Sequence, residues 1–128
     1  MYIGELGKIY KAGDRIVHQG EVGDYMYVIQ AGQVEVLLER PSQEIHIATL
    51  GPGDIFGEMA LFSRAVRSAT VRAQTEARVL TIDKRGFLKR VHEDPSLAFR
   101  ILQKMSDRIR QLNEELAQLK EQRAGASS

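Results

Sequence analysis

The residues best suited to chemistry lie between Phe56 and Val71, FGEMALFSRAVRSATV, and that chemistry is the holding of an anion. Gly57 frees the backbone for close approach, and Glu58 follows at once. Met59, Ala60, Leu61 and Phe62 then read as a short apolar helical turn whose first N–H groups point at negative charge. A polar bend through Ser63 and Arg64 leads to Arg67, a planar fork of donors. Ser68 and Ala69 behind it are small enough for a bound group to rest on the main chain, and Thr70 and Val71 open a strand. Glu58 is the misfit, because a carboxylate beside a phosphate is repelled. It fits if it accepts a hydrogen bond from a hydroxyl on the same ligand, and a sugar phosphate carries both groups. As a general base Glu58 lacks company, since no His or second carboxylate stands near it in the motif.

The rest of the chain must position this segment. At 128 residues it is one domain, long enough to bury a core. Eighteen basic against seventeen acidic residues leave +1, which argues against direct nucleic-acid binding or an acidic membrane surface. With no Cys there is no disulfide framework, thiolate metal site or cysteine nucleophile. No stretch approaches the ~20 apolar residues of a membrane span, and a cytoplasmic location is expected.

Up to residue 83, glycine-rich turns punctuate short strand patterns at 25–30, 34–39, 45–50, 69–73 and 78–82, a rhythm of all-β rolls, barrels and sandwiches. Val34, Val36 and Leu38 alternate with Glu35 and Glu39, predicting one buried and one wet face. Ala31-Gly32 reads as a tight hairpin, and residues 40–44 as a longer polar one. Asp83 can cap a short helix with Phe87, Leu88 and Val91 on one face. Asp94-Pro95 starts a second helix that runs uninterrupted to about Gln122, followed by a frayed tail. Leu102, Met105, Ile109, Leu112, Leu116 and Leu119 step by three and four along it. That is an a/d seam, narrower than the stripe of a helix lying on its own core, and it predicts a homodimer. In a parallel pair Glu115 faces Lys120 of the partner helix, and Arg108 faces Asn113.

Phe56-Gly57-Glu58-Met59-Ala60-Leu61 and Arg67-Ser68-Ala69-Thr70-Val71 resemble the two halves of the phosphate-binding cassette of the cyclic-nucleotide-binding domain family. Val66 departs from the Pro usual before the Arg. HQGEVGDYMYVIQAGQVEV, from His18 to Val36, is similar to that family's early strands, and the resemblance covers roughly residues 8 to 113. It implies a mainly β fold: an eight-stranded, jelly-roll-like β-roll with a short hinge helix over residues 1–94, then a long lid and dimerisation helix over 95–122, with residues 123–128 as a disordered tail. The family's N-terminal helices shrink to one short turn at most. The resemblance also implies a ligand, a 3′,5′-cyclic nucleotide, with Arg67 on the phosphate and Glu58 on the ribose 2′-hydroxyl. Gly57, Met59, Ala60, Ser68 and Ala69 line the sugar-phosphate floor, and Val36 and Ile47 form the apolar wall for the base. Leu112 and Asn113 match the lid positions over the base. Ser68 stands where a Thr favours guanine, and cAMP is expected ahead of cGMP. No catalytic cofactor is implied, and the domain is expected to be a non-enzymatic sensor that signals by moving its long helix. Family members pass that movement to DNA-binding, kinase or channel modules. No helix-turn-helix follows here, so a protein effector at the coiled coil or a longer parent chain is expected.

Two other classes are weaker. A cupin-like metal-dependent enzyme needs an H-x-H pair with a carboxylate and a later His, whereas His18, His46 and His92 are scattered singles. A dimerisation module with a degenerate pocket is expected to lose Glu58 or Arg67, and both are present.

Overall fold

The computed structural model describes residues 6–62 and 65–127. The polar bend at Ser63 and Arg64 lies outside the described residues, as do residues 1–5, the start of any N-terminal turn. In chain order the strands are β1 (Lys8–Tyr10), β2 (Arg15–Val17), β3 (Val22–Gly23), β4 (Met26–Ala31), β5 (Val34–Arg40), β6 (Gln43–Leu50), β7 (Ile55–Phe56), β8 (Ala65–Val66), β9 (Thr70–Ala73) and β10 (Ala77–Ile82). Helices α1 (Lys84–Glu93) and α2 (Ser96–Ser127) follow. Eight strands form two four-stranded antiparallel sheets, β1-β10-β4-β7 and β2-β9-β5-β6, and β3 and β8 form a separate short antiparallel ribbon. This is the expected roll, with two strands added beyond the eight.

Between the sheets Ile29, Val34, Phe56, Val71 and Val79 form one buried cluster. Met26, Ile55, Leu61, Leu80 and Ile82 form a second, packed against Val28, with Phe87 of α1 and Ile101 and Met105 of α2. Strand alternation explains the division: Ile29 and Val79 point into the roll, while Met26, Leu80 and Ile82 point out of the first sheet and are covered by the helices. Leu61 ties the anion segment to the helices through this second cluster.

Four local expectations are corrected. Ala31-Gly32 is not a hairpin, because β4 and β5 belong to different sheets. Gly32, at φ +79°, carries the chain across, and a Cβ there would lie 2.1 Å from the Glu76 carbonyl oxygen, so the crossing needs glycine twice over. The hairpin expected over residues 40–44 is present between β5 and β6 but is shorter, since Arg40 pairs with Gln43 and only Pro41 and Ser42 turn the chain. The wet face of β5 is partly covered: Glu35, bonded to Arg72, is largely shielded and Leu37 is buried, while Glu39, bonded to Arg15, stays partly exposed. In α1, Leu88 is exposed rather than sharing the packed face of Phe87.

Asp83 caps α1 as expected, accepting from the Gly86 N–H at 2.6 Å. Asp94 closes α1, and its carboxylate accepts from the Ser96 hydroxyl and from Arg100, so it bridges the joint between the helices. The Ser96 hydroxyl, then Arg100, holds that carboxyl below the usual range. α2 continues past Gln122 to Ser127 through residues expected to fray, even though Gly125 is a poor helix former.

Candidate functional site

The anion segment is built around two glycines and one arginine. Gly57, at φ +74°, ends β7 and turns the chain into a single 3₁₀ turn, Glu58–Leu61. That turn closes with the Ala60 N–H donating to the Gly57 carbonyl at 3.2 Å and the Phe62 N–H to Met59 at 3.1 Å. The Ala60 N–H is therefore engaged in the turn itself. Phe56 anchors the entry, its ring stacked on Tyr27 with centroids 4.9 Å apart.

Arg67 is fixed at both ends. Its backbone N–H donates to the Glu21 carbonyl at 2.7 Å, and its carbonyl accepts from the Gly20 N–H at 2.9 Å. Its guanidinium donates to the Tyr25 carbonyl at 2.7 Å and to the Gly57 carbonyl at 3.3 Å. It lies 5.9 Å over the Tyr27 ring. Burial pushes the Tyr27 hydroxyl above its usual range, and the Arg67 charge opposes that shift. Gly23 makes room: a Cβ there would sit 2.1 Å from Arg67 Nε. Two carbonyls orient the guanidinium without neutralising it, so its charge stays available to an anion.

Glu58, Arg67, Gly57, Met59, Ala60, Ser68, Ala69 and Val36 line one cavity of about 350 Å³. Val17, Phe56, Val66 and Val71 supply further apolar wall. Three sequence-predicted site residues do not line it. Ile47 is the extra residue of a bulge, since Val36 pairs with Ala48 and Leu37 with His46, and it is 43% exposed. Leu112 and Asn113 on α2 are both exposed. The helix reaches the cavity one turn earlier, through Arg108. Arg108 had a readable sign: Leu97, Ile101, Met105 and Arg108 step by four, four and three, a second stripe beside the a/d seam. Within that stripe Ile101 and Met105 pack on the roll, which takes Met105 out of the exposed seam. Leu102, Ile109, Leu112, Leu116 and Leu119 remain 48–64% exposed.

Glu58 and Arg108 also line an adjoining cleft between the roll and α2, with Asp54, Lys104 and Asp107. The acid of the anion segment and the arginine of the helix thus meet at the boundary between roll and helix. A cavity with a cation at one wall, a carboxylate beside it and an apolar wall opposite suits a ligand with phosphate, hydroxyl and ring. The described residues hold no group of three or more His, Cys, Asp or Glu placed for a metal ion, and no helix is long and apolar enough to cross a membrane.

The family model of the cyclic nucleotide-binding domain matches residues 8–94, both sheets and α1 included. The chain belongs to the cyclic nucleotide-binding domain family. The domain is 39% identical over 79 residues to a cAMP-dependent protein kinase regulatory subunit of Schizosaccharomyces pombe, covering 62% of this chain and 18% of that protein. It is 28% identical over 111 residues to a CRP-like cAMP-activated global transcriptional regulator of Mycobacterium tuberculosis, covering 86% of this chain and 50% of that one. Among solved structures, the catabolite activator protein of Thermus thermophilus superposes with a TM-score of 0.72 at 30% identity, over 88% of this chain and 53% of that one. The domain therefore spans half or less of the two sequence relatives and about half of the solved one.

Proposed function

We propose that this domain is a sensor for a 3′,5′-cyclic nucleotide, taking cAMP in preference to cGMP, and that it regulates without catalysing a reaction. The observation that carries this reading is the single cavity lined by Glu58, Arg67 and Arg108. Arg67 takes the cyclic phosphate, whose single charge its fork matches. Glu58 takes the ribose 2′-hydroxyl, which resolves the misfit of an acid in an anion site. The base rests against Val36 and Val71, and Arg108 brings α2 to the same ligand. The names of the two sequence relatives support a cyclic nucleotide as the ligand class.

Signalling follows from differential contact. A ligand that touches both the roll and Arg108 favours the arrangement in which α2 lies against the cassette, and a ligand lacking that contact shifts nothing. The exposed seam of Leu102, Ile109, Leu112, Leu116 and Leu119 is where a second copy docks, carrying the movement to a partner protein or attached module.

The ribose assignment is tested by titrating cAMP and 2′-deoxy-cAMP into wild type and Glu58→Ala. Removing the hydroxyl should weaken binding of the wild type about tenfold or more and leave the variant nearly indifferent. Equal loss in both proteins would remove Glu58 from the ribose.

A further inference from the structure

Met59 is 62% exposed and at the same time lines the cavity of Glu58 and Arg67. The other methionines among the described residues are covered. Met26 is 1% exposed inside the second cluster, and Met105 packs against that cluster from α2. A thioether exposed to solvent is the more readily oxidised, so one sulfur stands open to a small oxidant where the others are shielded. The turn that carries it is closed by backbone bonds, from the Ala60 N–H to the Gly57 carbonyl and from the Phe62 N–H to the Met59 carbonyl. Neither bond uses the side chain, so a change at sulfur leaves the turn closed.

From this combination we infer that Met59 is a peroxide-sensitive modification site whose oxidation weakens ligand binding in the cassette. The sulfur attacks one oxygen of hydrogen peroxide, the O–O bond breaks and an S–O bond forms. The proton of the transferred oxygen passes to the departing one, which leaves as water. Sulfur gives up two electrons and the peroxide takes them. A methionine sulfoxide reductase supplied with a thiol reverses the change, returning two electrons and releasing the oxygen as water. The sulfoxide puts a polar acceptor where the wall was apolar. The charged donors lining that cavity are Arg67 and Arg108, so the new acceptor competes with a bound phosphate for them, and Glu58 repels it. A ligand in the cavity covers the sulfur in turn and slows its oxidation. The effect on the nucleotide rests on the function proposed above, whereas the selectivity for Met59 does not.

The test treats the whole chain with graded hydrogen peroxide and follows each methionine by peptide mass spectrometry, with calorimetry of cAMP before and after. Met59 should oxidise about tenfold faster than Met26 and Met105. The oxidised protein should bind cAMP about fivefold or more weakly, and methionine sulfoxide reductases should restore the starting affinity. Saturating cAMP should slow the oxidation of Met59. Met59→Leu, whatever its own affinity, should be unmoved by the same treatment. Should that variant not fold, the reductase arm still assigns the loss to a sulfoxide. Oxidation of Met26 or Met105 as fast as that of Met59 overturns the site. A protein oxidised at Met59 that binds cAMP as tightly as the reduced one overturns its consequence. A reduced wild type that binds no cAMP would contradict the nucleotide reading and this consequence with it, while the mass readout still decides the modification site.

Discussion

At the scale of single residues, Arg67 lines the cavity where the proposed phosphate site needs it, and its neighbours fix its guanidinium there. Hydrogen bonds to a charged group are worth about 1.5–3 kcal/mol each, so Arg67→Leu should cost about two decades or more of cyclic-nucleotide affinity, read by calorimetry. Gly23 is the less obvious residue. The three atoms nearest a Cβ there all belong to the flexible Arg67 side chain, so Gly23→Ala should fold and melt nearly as wild type yet lose about tenfold in affinity, because the guanidinium is pushed off the Tyr25 carbonyl. A Gly23→Ala protein with unchanged affinity would remove Gly23 from the positioning of Arg67. The cassette was legible because its residue types state their chemistry: a glycine, an acid and an arginine within a short span. Gly23 and Arg108 were harder to read for different reasons. Gly23 acts through an empty space that only the fold defines, and Arg108 lies fifty residues from Glu58 in the chain (108 − 58), so no local pattern joins them.

At the scale of elements, α2 carries two faces on one sequence. Ile101 and Met105 close the roll, while Leu102, Ile109, Leu112, Leu116 and Leu119 are left in solvent. Periodicity found the second face and missed the first, because Met105 fits either stripe and the stronger leucine pattern absorbed it. If the exposed face pairs two copies, Ile109→Glu with Leu116→Glu should convert a dimer to a monomer in light scattering, with the roll still folded. A wild-type monomer, with and without ligand, would contradict the seam. The joint before α2 adds a pH dependence. The Asp94 carboxyl titrates below its unfolded value, because of the Ser96 hydroxyl first and Arg100 second. Its contribution is therefore complete above the ordinary carboxylate pKa and is lost as pH falls through the depressed folded value. Amide exchange at residues 94–100 should accelerate on acidification in the wild type, and Asp94→Asn should flatten that dependence.

At the scale of the whole molecule, the fold joins two clusters across one sheet, and the cassette touches both. Phe56 belongs to the cluster inside the roll and Leu61, five residues on (61 − 56), to the cluster under the helices. The anion segment thereby shares one packed cluster with α1 and α2. Turn spacing was enough to recognise a β-roll, but not to say which strands share a sheet. Gly32 shows why: the same two-residue turn serves a hairpin or a crossing, and the difference lies in Glu76, a distant residue. The strand pairing of β6 hid for a similar reason, since the bulge at Ile47 reaims one side chain without any mark in the local pattern.

The most direct test of the cyclic-nucleotide assignment is isothermal calorimetry with cAMP, cGMP and AMP on the same preparation. Tight, saturable binding of cAMP is predicted, weaker binding of cGMP, and loss of about two decades or more for AMP, whose extra phosphate charge and open ring do not match one arginine beside Glu58. Binding of AMP as tight as that of cAMP would contradict the account.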